Sequence, residues 1–90
     1  MNIYHRSHSL DTAPMGNELV MMDVAQGQYF GLNPVATYIW SLLESPASLD
    51  SLVAELMSRF DVTESECRAD TELLLKQLVD KQLLKVKPAV

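Results

Sequence analysis

Leu19-Val20-Met21-Met22-Asp23-Val24-Ala25-Gln26-Gly27-Gln28-Tyr29-Phe30-Gly31-Leu32-Asn33-Pro34 turns back on itself and then changes period. The apolar run Leu19 to Met22, within a strand candidate Leu19 to Val24, predicts a central strand with little exposure on either face. Asp23 to Gly27 predicts a tight hairpin, because Gly27 takes a positive φ without a Cβ penalty. Gln28 to Leu32 is then the returning strand, rich in the large residues that strands favour. Asn33 is a good helix N-cap and Pro34 suits a first helical position, so the period switches from two to 3.6 at this point.

Upstream, Ser9 to Ala13 predicts a short first strand. Pro14 cannot donate to a ladder and suits an edge or a strand end. Met15-Gly16-Asn17 is turn material. Downstream come three helices. The first runs from Pro34 to about Glu44, with Val35, Ile39, Leu42 and Leu43 as its apolar face and Trp40 widening it; Ser45-Pro46-Ala47 breaks it. Ser48 caps the second, where Leu49, Leu52, Val53, Leu56, Met57 and Phe60 fall at helical spacing. Leu52, Leu56 and Phe60 are expected in the core. Thr63-Glu64-Ser65-Glu66 reads as a capping box, with Glu66 reaching back to Thr63. The third helix continues to about Gln82, acidic in its first half and followed by lysines, as the helix dipole favours. Cys67, Thr71, Leu74, Leu75 and Leu78 form its core stripe, and Leu73 lies about 100° away from Leu74. The expected fold is α+β: a three-stranded antiparallel sheet followed by three helices, like a winged helix with its wing moved to the front.

Length and composition agree with a single domain over residues 1–90, with 1–8 and 87–90 flexible. The 90 residues are 48% hydrophobic and 21% charged, which opposes disorder. A net charge of −5 opposes contact with nucleic acid or anionic lipid. No apolar run approaches the roughly 20 residues of a membrane span. Met1 to Ser9 has no apolar core of a signal peptide, and the one cysteine, Cys67, permits no internal disulfide, so the cytoplasm is the expected compartment.

Reactive chemistry is hard to assemble from these residues. His5 and His8 are two ligands where a zinc site needs three or four, so no metal is expected. Cys67 sits among Glu64, Glu66 and Asp70, which disfavour a thiolate, and a buried helix cysteine behaves as a small hydrophobe. The carboxylates Glu64, Glu66, Asp70 and Glu72 are explained by helix capping and dipole effects. Gly16, Gly27 and Gly31 make no phosphate loop. Met15, Met21, Met22 and Met57 read as fillers of irregular core gaps. No catalytic residue and no cofactor is expected. A DNA-binding winged helix is the fold-level alternative, but only Arg59 offers a cation on the second helix.

Geometry is what remains. The strand Gln28 to Leu32 bonds to the middle strand on one side, and Tyr29, Phe30 and Leu32 make its other edge apolar. Such an edge invites an added strand. It is otherwise covered by the tail Lys85-Val86-Lys87 or by a second copy of the chain, as an edge-to-edge homodimer.

Met21-Met22-Asp23, Gly27-Gln28-Tyr29-Phe30-Gly31-Leu32-Asn33, Ala36 and Ile39-Trp40 resemble the signature of the PqqD-like family. Leu49 to Leu52, Phe60-Asp61-Val62, Asp70, Leu74-Leu75, Leu78 and Leu83-Leu84 resemble its second half, so the similarity spans Glu18 to Leu84. Gln82 stands where many relatives have a Gly that ends the helix, which blurs the helix end. The resemblance implies a non-catalytic recognition element for ribosomally made, post-translationally modified peptides. It implies that the leader of a precursor peptide adds as a strand on the last strand's edge, with side chains entering a groove beside the third helix. It also implies delivery to a modifying enzyme. The Gly-x-Tyr-Phe-Gly-Leu-Asn form resembles the separate elements of lasso-peptide pathways, where the partners are a cysteine-protease-like leader peptidase and an asparagine-synthetase-like cyclase. On this reading the peptide-binding residues are Gln28, Tyr29, Phe30, Gly31 and Leu32, with Phe30 and Leu32 turned to the helices and Phe30 as the groove floor. On the third helix they are Leu73, Gln77 and Asp80, in preference to the Glu72–Val79 flank.

Overall fold

The computed structural model describes residues 2–7, 11–16, 18–24 and 26–88. The expectations placed on Met1, residues 8–10, Asn17, Ala25 and residues 89–90 lie outside them. The hairpin forms as its sequence predicts. β1 (Asn2–Arg6) precedes β2 (Asp11–Met15), β3 (Glu18–Asp23) and β4 (Gln28–Leu32), and the last three make one antiparallel sheet in the order β2-β3-β4. Gly27 has φ +66° and closes the turn between β3 and β4, where the buried Asp23 carboxylate accepts from the Gln26 backbone N–H (3.3 Å) and Nε2 (2.8 Å). Pro14 sits on the edge strand β2, where its missing N–H costs least. Met15 belongs to β2 and not to the turn after it.

Three helices follow: α1 (Pro34–Leu42), α2 (Leu49–Arg59) and α3 (Glu64–Asp80). Asn33 Oδ1 accepts from the Ala36 N–H at 2.8 Å, so the cap read from the sequence is in place. The buried stripe of α1 is Ala36, Ile39 and Trp40, continued by Leu43; Val35 is exposed instead of facing the core. Counting Ala36 as apolar gives the i, i+3, i+4, i+7 spacing that leaves Val35 outside. At α2 the capping box is complete, with the Ser48 and Ser51 hydroxyls each accepting from the other's backbone N–H at 3.2 Å. At α3 only the forward arm is seen, from the Glu66 N–H to Thr63 Oγ1 at 3.3 Å. Arg68 ties the two helix starts together through Asp50 (2.7 Å) and Glu64 (3.2 Å), and these bonds raise its pKa.

Leu52, Val53, Leu56, Leu75 and Leu78 are buried in the shared core. Phe60 is only half-buried: α2 ends at Arg59, and Phe60 takes an extended conformation with its ring edge-on to Tyr38. Met21 fills the core, whereas Met15 and Met57 are exposed and fill no gap.

A second sheet lies beyond the pattern read from the sequence. β5 (Ala47–Ser48), β1 and β6 (Leu84–Pro88) pair antiparallel in the order β5-β1-β6. Residues 2–6, expected in a flexible end, form its middle strand. Arg6 anchors it by donating to the Trp40 carbonyl and lying 4.4 Å over the Trp40 ring. Burial lowers the Arg6 pKa, an effect that Glu44 partly offsets. The tail 85–87 therefore pairs with β1, and among the described residues the outer edge of β4 is uncovered.

The end of α3 is sharp. Gln82 takes φ +65°, its N–H reaches the Val79 carbonyl (2.9 Å), and the Leu83 N–H reaches Leu78 (2.9 Å). This is a Schellman turn with glutamine in the position glycine favours, so the absence of Gly does not blur the helix end.

Candidate functional site

The hairpin and the Asn33 cap fix β4 between a tight turn and a helix start. Its register against β3 pairs Met21 with Phe30 and Leu19 with Leu32. The period of two then sorts its side chains. Leu32 is buried and Phe30 is half-buried against the core, while Tyr29 is 74% exposed and Gly31 faces open space. Among the described residues β4 pairs with β3 alone, so its outer backbone edge is unpaired.

The C-terminal end of α3 comes up to this strand. Lys81, at its C-cap, places Nζ 5.1 Å from the centre of the Phe30 ring. Just past the C-terminal end of β4 a groove of about 420 Å³ opens between α1, the end of α2 and α3. Its floor is the buried Ala36, Ile39, Leu56, Cys67 and Thr71. Exposed Val35, Val62 and Leu73 form its apolar rim, and Asn33, the residue after β4, also lines it.

Of the residues chosen from the sequence, Leu73 and Gln77 meet in this groove. Leu73 is 58% exposed, as its position off the core stripe predicts. Phe30 is not part of the groove floor; it packs under Lys81 further along. Asp80 is exposed on the last turn of α3 and does not line the groove. Leu73 also borders a second groove, of about 560 Å³, on the opposite flank of α3, with Tyr4, Glu72, Lys76, Val79 and Val86. Sequence reasoning missed Val35, Val62, Glu66 and Asp70 as groove residues. The exposed valines are the signal for two of them, while the carboxylates carry none until α3 is placed.

Chemically the site offers main-chain hydrogen bonds, apolar surface and carboxylates. Cys67 is buried, its Sγ 3.9 Å from Thr71 Oγ1. Among the described residues no group of three or more His, Cys, Asp or Glu is placed to hold a metal ion. None of the helices described is long and apolar enough to cross a membrane.

Fold and site together define a small α+β module whose distinctive feature is an open strand edge beside an apolar groove. The chain belongs to the PqqD family: the family model described as coenzyme PQQ synthesis protein D matches residues 18–84. Two solved structures share its fold. One is TbiB1 in complex with the TbiA(beta) leader peptide, 29% identical, with a TM-score of 0.81 over 96% of this chain and 99% of that one. Another is lasso peptide synthetase B1 complexed with its leader peptide, 22% identical, with a TM-score of 0.76 over 91% and 96%. A search of curated proteins gives no match.

Proposed function

We propose that this protein binds the leader of a ribosomally made precursor peptide, without catalysing a reaction, and passes it to a modifying enzyme or leader peptidase. The observation that carries this is the unpaired, uncharged edge of β4 beside a groove on α3. The leader adds as a strand along Gln28 to Leu32, and its side chains reach Leu73 and Gln77. TbiB1, similar over nearly its whole length, was solved with a leader peptide, which supports the same ligand class here.

The energetics suit a carrier. Each added main-chain hydrogen bond is worth roughly 0.5–1.5 kcal/mol net. Each well-buried apolar side chain adds about 1.5–3 kcal/mol. Ordering a flexible peptide takes much of this back, leaving affinities on the order of nanomolar to micromolar. Such a complex holds its cargo and still releases it.

The test is fluorescence anisotropy with labelled leaders of short precursor reading frames lying beside the gene. N-methylating alternate residues of a bound peptide should abolish binding for one set and spare the other, because a strand offers its N–H groups to a neighbour every second residue. Loss of affinity with no alternation would overturn strand addition.

A further inference from the structure

The groove at the end of β4 has a polarity that the open edge alone does not explain. Its walls are apolar, but its lining includes two carboxylates, Glu66 and Asp70, and no lysine, arginine or histidine. These two sit one turn apart on the same face of α3, an i,i+4 spacing at which like charges repel. Neither side chain has an ion-pair partner among the described residues; the nearby Arg68 is engaged by Asp50 and Glu64 instead. Of the other polar wall groups, Asn33 Oδ1 caps α1 and Thr71 Oγ1 lies against the Cys67 sulfur, while Gln77 adds an exposed neutral amide. Over the middle of β4 the nearest charge is positive, with Lys81 over Phe30.

Resting on the strand-addition reading, we propose that this groove takes a lysine or arginine side chain of the docked peptide. The aliphatic stem lies along Val35, Val62 and Leu73, and the cationic head meets Glu66 and Asp70. A long basic side chain fits both halves of this surface, since it buries its stem while keeping its charge at a polar rim. A purely apolar side chain would make no use of the two exposed carboxylates at the rim. Asn33 both follows β4 directly and lines the groove, so the groove opens next to the end of a peptide paired along β4. The peptide thus reads as a strand that ends in a basic anchor.

The experiment pans a displayed library of random twelve-residue peptides against the wild-type chain and against the double variant Glu66→Gln/Asp70→Asn. Both substitutions keep side-chain size, and the Glu66 backbone N–H still reaches Thr63; equal melting temperatures confirm the fold. The wild type should enrich Lys or Arg at one fixed distance from an apolar pair. Replacing that residue by norleucine, which keeps the stem and removes the charge, should weaken wild-type binding at least tenfold, about 1.4 kcal/mol. The double variant should bind both peptides alike. Equal wild-type affinity for the norleucine peptide overturns the proposal, as does a lysine preference that persists in the double variant. N-methylation of alternate residues in the enriched peptide tests the underlying reading separately. If it has no alternating effect while the charge preference holds, strand addition falls and the basic anchor stands.

Discussion

Two five-residue strands of this protein, Gln28–Leu32 and Leu84–Pro88, each pair on one side only among the described residues, yet they are built oppositely. β4 reads Gln-Tyr-Phe-Gly-Leu and β6 reads Leu-Lys-Val-Lys-Pro. In each strand the second and fourth residues turn to a common face. On β6 those are Lys85 and Lys87, and the strand ends in Pro88, which has no N–H to donate. On β4 they are Tyr29 and Gly31. Lysine and proline are the usual guards against an unwanted strand. The chain therefore carries its own control: an edge closed by its side chains, and one left open. Openness at β4 is a property of its chemistry and not of exposed backbone in general.

The harshest way to break the comparison is to remove the core that holds both strands. Leu56 is 2% exposed and packs in the core that α2 shares with α3. Leu56→Ala should cost about 2–5 kcal/mol, a large part of the stability of a domain this size. Urea denaturation measures it, and a fully stable variant would mean that the helix packing is misassigned. Next in size is Leu73→Asp. Leu73 borders the groove beside β4 and the groove beside β6, so it has to be read with Val86→Asp, which lies on the β6 side alone. With melting temperatures unchanged, Leu73→Asp should weaken leader binding at least tenfold, about 1.4 kcal/mol. Val86→Asp should leave it within twofold. The reverse pattern would move the peptide to β6.

Transplanting the guard sharpens the contrast further. Tyr29 is largely exposed, and a Cβ at Gly31 meets nothing within 4 Å, so Tyr29→Lys/Gly31→Lys fits without repacking and gives β4 the spacing of β6. Leader affinity should fall about fivefold, near 1 kcal/mol. Undiminished binding, by the same anisotropy measurement, would show that the difference between the edges lies elsewhere.

The same contrast explains what could be read from the sequence. β3, β4 and α1 are specified by neighbours: the Asp23–Gly27 turn, alternating side chains and the Asn33-Pro34 cap. The bounds of β4 and the outward placement of Leu73 follow from local periods, while β3 (Glu18–Asp23) starts and ends one residue earlier than Leu19 to Val24 and α1 stops at Leu42, short of Glu44. The second sheet does not, because Ile3 pairs with Lys87 and with Ser48, and no local pattern announces partners so distant in the chain. His5 and Arg6 also look like solvated polar residues until Trp40 supplies a carbonyl and a ring for the guanidinium. In the site the division is similar. The inward turn of Phe30 and Leu32 is a matter of alternation. The gathering of Val35, Val62, Glu66 and Asp70 depends on how three helices pack, and it moved Phe30 out of the groove floor.

The smallest expected effect lies at the joint between the two regions. Gln82 links α3, which walls the groove beside β4, to Leu83 and the start of β6. Its φ of +65° places a Cβ where only glycine is comfortable, and left-handed backbone costs an ordinary residue about 1–2 kcal/mol. Glycine relieves that strain but gains freedom in the unfolded chain, which offsets part of the benefit. Gln82→Gly should therefore stabilise the protein by about 0.5–1 kcal/mol, a rise of several degrees in Tm for a domain of this size. Because the two hydrogen bonds of the turn, from Gln82 to Val79 and from Leu83 to Leu78, are made by backbone atoms, the glycine variant keeps them. The position of α3 relative to β4 is then unchanged, and leader affinity should stay within twofold. A stability gain accompanied by altered binding would mean that the joint transmits strain to the β4 groove, and that the open and closed edges are coupled through α3.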